Sequence, residues 1–232
     1  MNDIISVSGL KKSFDQKQVL KDVNFKVSKG DFAAIIGANG SGKSTIVNII
    51  TKMKRSDSGT VKYNFSEKDF YKHVGIQFQN ADFDVRMKVK TILELWKDIY
   101  KVSDKRYNEL ISFFDLERIL NNKIANISGG EKQKMNIFLA LINDPDLLIL
   151  DELTTGLDAI TRIELRKYLK KINKEDKKTI IMVSHYMDEV QELCNKAFFL
   201  KDGIIYESGT ITELMDKYDT DKMDQVLEKL SS

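Results

Sequence analysis

Residues 37–45 run Gly-Ala-Asn-Gly-Ser-Gly-Lys-Ser-Thr and fit the phosphate-loop pattern G-x-x-x-x-G-K-[ST]. Such a loop presents the backbone N–H groups of Gly37, Asn39, Gly40, Ser41 and Gly42 to phosphate oxygens. A helix opening just after it adds the positive end of its dipole at the same place. Lys43 is spaced to reach β- and γ-phosphates, the Ser44 hydroxyl to ligate Mg²⁺, and the Thr45 hydroxyl to add a phosphate contact. A second set of candidates lies at Leu147-Leu-Ile-Leu-Asp-Glu152, an apolar run ending in two carboxylates. At the C-terminal edge of a parallel sheet, that is where ligands bind. Asp151 would hold Mg²⁺ there, through water, and Glu152 would polarise a water for attack on a γ-phosphate. An acid pair closing a strand is common by itself. Joined to the phosphate loop, it points to Mg²⁺-dependent hydrolysis of a nucleoside triphosphate.

Hydrophobic spacing shows which elements must hold these groups. Phe32–Ile36 is a continuous apolar run directly before the loop, the pattern of a strand buried on both faces. A helix over 43–52 follows it. Ile4–Val7 reads as a short strand, and Val19, Val23, Phe25 and Val27 alternate with polar residues as a half-buried strand does. Gly59–Tyr63 and His73–Phe78 read as further strands. From 89 to 120 the spacing turns helical, with Ile92, Leu95, Trp96 and Ile99 and then Leu110, Phe113 and Phe114. A third helix runs over 130–142. The β/α alternation then returns, with strands Leu147–Leu150 and Thr179–Val183 and helices over 159–171 and 186–193. Asp202-Gly203, between Ala197–Leu200 and Ile204–Glu207, is a hairpin signal. Thr210 with Glu213 forms a capping box that opens a final helix, about 211–232. The order predicts an α/β fold with a mostly parallel sheet, an N-terminal antiparallel β layer and an inserted α-helical subdomain.

Composition narrows the partners. The chain has 232 residues, 42% hydrophobic, which suffices for one α/β domain with a subdomain. Lys+Arg 37 nearly cancels Asp+Glu 35, and a net charge of +2 leaves no basic footprint for nucleic acid. One cysteine, Cys194, excludes an internal disulfide and reads as a small buried apolar residue. The apolar stretches near 135–143 and 179–187 are far shorter than the ~20 residues that span a bilayer. A soluble chain at a cytoplasmic location is expected, with any membrane role supplied by a partner.

Asn126-Ile-Ser-Gly-Gly-Glu-Lys-Gln133 resembles the LSGGQ signature of the ABC ATPase superfamily, in an ISGGE form. Read as residues alone, Ser128 caps a helix, and Gly129 and Gly130 free the backbone to make a second anion site. Other landmarks follow in the family's order over about 4–209. The resemblance implies a P-loop NTPase with a RecA-like core at about 1–80 and 145–215 and a helical subdomain at about 81–144. It implies that Phe14 stacks on adenine, and that Gln79 contacts Mg²⁺ and couples to a transmembrane partner. Asp158, closing Thr155-Gly-Leu-Asp, would belong to the loop through which two subunits communicate, and His185 would contact the γ-phosphate. Catalysis would then rest on Glu152, His185, Lys43 and Gln79, and the metal on Ser44, Gln79 and Asp151.

The family closes two ATPase subunits head to tail on two Mg-ATP, each signature over the partner's phosphate loop. The implied partners are a second ATPase subunit, identical or related, and a transmembrane permease at the cytoplasmic face of the cell membrane. Val74-Gly-Ile-Gln-Phe-Gln79, Val89–Leu95 and 141–158 most resemble the ATPases of ABC-2-type exporters, so export is the expected direction. An ABC ATPase of iron–sulfur cluster assembly, working on a soluble scaffold, is the alternative. Ribosome- and DNA-repair types fit less well with one ATPase unit and one cysteine. Two residues depart from the family pattern: Leu153 stands where proline is usual, and Glu131 where glutamine is usual. A Glu131 carboxylate aimed at the nucleotide would weaken closure slightly.

Overall fold

A computed structural model describes residues 3–77, 83–152 and 156–231. Its centre is a six-stranded sheet in the order β5-β6-β7-β3-β8-β9. The strands are β3 (Phe32–Ile36), β5 (Val74–Gln77), β6 (Leu147–Asp151), β7 (Thr179–Val183), β8 (Lys196–Lys201) and β9 (Ile204–Thr210). Every neighbouring pair is parallel except β8 with β9. A second, antiparallel sheet joins β1 (Asp3–Phe14), β2 (Lys17–Ser28) and β4 (Ser58–Tyr63) in the order β2-β1-β4.

The inner strands show why a two-sided strand reads as an unbroken apolar run. In β3, Ala33 and Ile35 join the core under the antiparallel sheet, while Phe32, Ala34 and Ile36 join the core on the opposite face. Leu147 and Ile149 alternate with Leu148 and Leu150 in the same way. Between the two sheets lies α1 (Lys43–Ile50), which buries Ile46, Val47, Ile49 and Ile50. The other face carries α3 (Val89–Tyr100), α4 (Asp104–Phe113) and α5 (Gly129–Leu141), which follow one another between β5 and β6. It also carries α6 (Ala159–Lys174), α7 (Met187–Leu193), α8 (Ile211–Lys217) and α9 (Met223–Ser231), while the short α2 (Phe70–His73) leads into β5. Helix α5 lies against the backbone of β5: a Cβ on Gly75 would come 1.9 Å from the Ala140 carbonyl oxygen. Only glycine permits so close an approach.

Two elements differ from the sequence expectation. The first strand runs to Phe14, not Val7, because register irregularities between Val7 and Lys12, with Gly9 at φ 62, break the two-residue alternation. This length carries Phe14 to the rim of the sheet. The single helix expected over 211–232 is two helices; the chain leaves α8 after Lys217, with Asp219 at φ 44.

Candidate functional site

Three adjacent strands build the site. β6, β7 and β3 are neighbours and parallel, so their C-terminal ends open on one edge. The loop after β3 is the phosphate loop, β6 ends in Asp151 and Glu152, and β7 leads into Ser184 and His185. Phe14, Asn39, Gly40, Gly42, Lys43, Ser44, Thr45, Asp151, Glu152 and His185 line one cleft. Gly37 and Ser41 border an adjoining pocket behind the loop.

The phosphate loop turns into α1 at Gly42, whose φ of 112 calls for glycine. Lys43 Nζ donates to the carbonyls of Gly37 at 2.7 Å and Ala38 at 3.0 Å. Those bonds hold the ammonium over the loop and use two of its three hydrogens. Burial pulls the Lys43 ammonium below its ordinary value, and the charges of Glu152 and Asp151 oppose that shift. Asp151 is 6% exposed, and burial, then the neighbouring Glu152, push its carboxyl above the usual carboxylate range, while Lys43 and His185 pull it back.

Glu152 sits at φ 54, in the left-handed region that a non-glycine residue adopts only at a cost of roughly 1–2 kcal/mol. Its N–H donates to the Val183 carbonyl at 3.1 Å, which holds the turn against β7. Its Oε1 lies 3.0 Å from His185 Nε2. The strained turn thus brings the carboxylate to the imidazole and into the cleft. At the rim the Phe14 ring is 36% exposed, with Lys54 Nζ 4.7 Å and Lys12 Nζ 5.4 Å from its centroid.

These groups fit a nucleoside triphosphate with Mg²⁺. The Ser41 hydroxyl oxygen is buried and has no hydrogen-bond partner among the described residues, as suits a loop shaped for phosphate. Ser44 and Asp151 would hold Mg²⁺, which typically takes one or two protein carboxylates and completes its shell with phosphate and water. That ion, when bound, neutralises charge across the β- and γ-phosphate oxygens.

Other candidates lie elsewhere. Ser128, Gly129, Gly130 and Asp158 do not line the cleft. Gly130 and the 156–158 segment lie side by side; a Cβ on Gly130 would meet the Gly156 carbonyl at 3.0 Å. Asp158 caps α6, accepting from Thr161 N at 2.9 Å. Gln79, Leu153 and Thr155 fall outside the described residues. Gln77, fully buried, accepts the Asp151 N–H at 3.1 Å and braces the acidic strand end.

Two features escaped sequence reading. Lys17 and Val19 also line the cleft, and their alternation in β2 was the available sign. Glu131, the departure from the signature, folds back on Ser128: its Oε2 accepts from Ser128 N at 2.7 Å and from Ser128 Oγ at 2.8 Å. Ser128 Oγ in turn accepts from Glu131 N at 3.2 Å, completing a capping box that the spacing S-x-x-E would have revealed. The carboxyl is held below its ordinary value by those bonds from Ser128.

The chain is also similar to known proteins. The chain is 32% identical over 224 residues to the methionine import ATP-binding protein MetN of Clostridium acetobutylicum, covering 91% of this chain and 70% of that protein. It is 32% identical over 231 residues to MetN 1 of Enterococcus faecalis, covering 91% of this chain and 64% of that one. The chain thus spans about two thirds of the length of these relatives. Among solved structures, the dimeric post-hydrolysis state of the ATP-binding cassette MJ0796, bound to ADP and Pi, superposes with a TM-score of 0.79 at 28% identity, over 89% of this chain and 98% of that one. The model of the ABC transporter family matches residues 20–155, a span that holds both the phosphate loop and the acidic strand end. With more than half of its length inside that match, and with a P-loop NTPase fold around it, the chain belongs to the ABC transporter family and is one of its ATP-hydrolysing, ATP-binding domains.

Proposed function

We propose that this chain is the ATPase subunit of a membrane transporter, acting as one half of a head-to-tail pair. The observation that carries the proposal is the division of its candidate residues. Lys43, Ser44, Asp151, Glu152 and His185 share a cleft, whereas Ser128–Gly130 and the 156–158 segment lie together outside it. Two chains, each laying the N-terminus of α5 over the other's phosphate loop, complete two sites. The MJ0796 cassette, solved as a dimer, supports pairing of two chains.

Within a completed site Lys43 and the loop amides hold the phosphates, and Ser44 and Asp151, with Gln79, hold the metal. Phe14 stacks on the base. Glu152 takes the proton of, or orients, the attacking water, and His185 fixes Glu152 and meets the γ-phosphate. Ser128 and the α5 N-terminus add donors from the second chain. ATP bridges two chains and so binds the closed pair better than the open one; its hydrolysis removes the bridge.

For the partner, an apolar groove beside β5 gives support. It is lined by Ile76, Phe83, Trp96, Tyr100 and Leu139, and Tyr71, Leu95 and Ile99 are exposed nearby. Surfaces of that kind mark docking sites. No helix among the described residues is long and apolar enough to cross a membrane. In the proposed transporter a permease spans the membrane, and this chain works against it at the cytoplasmic face. The exporter direction expected from the sequence finds no support in the relatives. Both are import subunits, and uptake is therefore the direction proposed. Methionine is not carried over, because in this arrangement the cargo meets the permease and not the ATPase.

The test is to express tagged Glu152→Gln chain in its native host, add Mg-ATP, solubilise with detergent and identify what co-purifies. A multi-pass membrane protein is expected. A soluble scaffold without membrane subunits would overturn the transporter reading in favour of iron–sulfur cluster assembly.

A further inference from the structure

Glu189 is a carboxylate buried to 1% exposure in α7, and it does not line the cleft. Its Oε1 accepts from Arg166 Nη2 at 2.7 Å, and its Oε2 accepts from Ser184 Oγ at 3.2 Å. Ser184, 2% exposed, accepts the Tyr186 N–H on the same hydroxyl at 3.0 Å. A hydroxyl has one hydrogen; with that hydrogen committed to Glu189, its lone pairs face the Tyr186 amide. The carboxylate therefore holds the residues on both sides of His185, whose Nε2 lies 3.0 Å from Glu152.

The other end of the link is equally defined. Arg166 belongs to α6 and also bonds Asp188 at 3.2 Å and Glu192 at 3.1 Å. α6 begins at the Asp158 cap, in the segment that lies against Gly130. A buried ion pair adds little net stability over an apolar pair of the same shape. Stability alone thus gives a weak reason for a charge at this point, and placement of the 184–186 turn gives a stronger one.

We propose that Glu189 is a positioning residue for His185: through Ser184 it sets the imidazole against Glu152, and through Arg166 it ties that turn to α6 and the 156–158 segment. The inference rests on the role assigned above to His185. A misplacement of about 1 Å in a catalytic group can cost on the order of a hundredfold in rate.

The experiment compares Glu189→Ala, Ser184→Ala and Glu189→Gln with wild type, well below their melting temperatures. Expected for the two alanine variants is a fall in kcat of about tenfold to a hundredfold, with KM for ATP held within about threefold because the phosphate loop is untouched. Glu189→Gln, which can still accept from Ser184, should recover part of the loss. The second readout is the imidazole ¹⁵N signals of His185, easily separated because the chain has two histidines. They should shift in both alanine variants, and stay put in Leu110→Ala, a core control in α4, outside the link. Should Glu189→Ala fail to fold, Ser184→Ala leaves the Arg166–Glu189 pair intact and tests the same link. Wild-type kcat and unmoved His185 signals in the alanine variants, with His185→Ala inactive, overturn the inference alone. Wild-type turnover by His185→Ala overturns the role of His185, and the inference with it.

Discussion

Replacing Glu152 with glutamine isolates the chemical step. Glutamine has the same length and can occupy the same left-handed turn, so the 152 N–H bond to Val183 and the approach to His185 survive. Stability should change by no more than about 0.5 kcal/mol. What disappears is the charge proposed to take up or polarise the proton of water. A positioned general base contributes about 10²–10⁴ in rate, or roughly 2.7–5.4 kcal/mol of barrier, and kcat should fall by that factor. ATP binding should move the other way. Glu152 is one of the groups holding the Asp151 carboxyl above its usual range, so its neutralisation eases ionisation of Asp151 and removes a negative charge facing the triphosphate. The variant should bind Mg-ATP at least as tightly as wild type and accumulate as an ATP-loaded pair. Phosphate release at saturating ATP, nucleotide binding by fluorescence, and gel filtration with ATP measure the three effects. Turnover within threefold of wild type would place the base elsewhere. Weakened ATP binding would refute the electrostatic part.

Two other perturbations probe the divided site. Lys43→Ala should abolish ATP binding, and mixing it with Ser128→Arg should restore one composite site and part of the turnover; complete lack of rescue, under conditions where wild type pairs, would contradict action across the pair. Glu131→Ala should lower stability by about 1 kcal/mol at neutral pH, a melting shift of about 2–4 °C, through loss of the capping box. The folded Glu131 carboxyl titrates below its ordinary value of 4.5, so its share of stability is present above that pH and disappears as acid protonates the folded form. The gap between wild type and variant should narrow as pH falls through that range, and a gap independent of pH would assign the effect to something other than the carboxylate.

Much of the fold was readable because its central strands are buried on both faces. Phe32–Ile36 and Thr179–Val183 have the same bounds in sequence and structure. The hairpin at Asp202-Gly203 was equally clear, and both residues take positive φ, 50 and 78. Long-range register was not readable. Bulges hid most of β1, and with it the reason Phe14 reaches the cleft. Glu131 read as a threat to nucleotide closure because the signature drew attention away from a plain local rule, the reciprocal cap. Nor could the direction of transport be read from Val74–Gln79, Val89–Leu95 and 141–158. The described parts of those stretches build the sheet, the helical segment and the nucleotide edge, which nucleotide binding needs in either direction; in the proposed transporter the membrane partner would set the direction.

The division of the site follows from chain direction. Parallel strands deliver their C-terminal ends to one edge, so the loops after β3, β6 and β7 meet there although they are far apart in sequence. Helix α5 arrives differently. Its last turn packs on β5 at Gly75 and leads within a few residues into the start of β6, at the opposite edge of the sheet. Its first turn, with Ser128, therefore points back toward the nucleotide edge, but beyond β5 and outside the cleft. A helix end that faces the same way as the cleft, yet stands beside it, does not line the site of the phosphate bound to its own chain. In the proposed pair, a two-fold axis turns it onto the phosphate bound to the other chain. The same rotation would set the Gly156–Asp158 segment, which lies against Gly130, at the second chain's cleft, and α6 would carry that contact inward to Arg166 and the turn that bears His185.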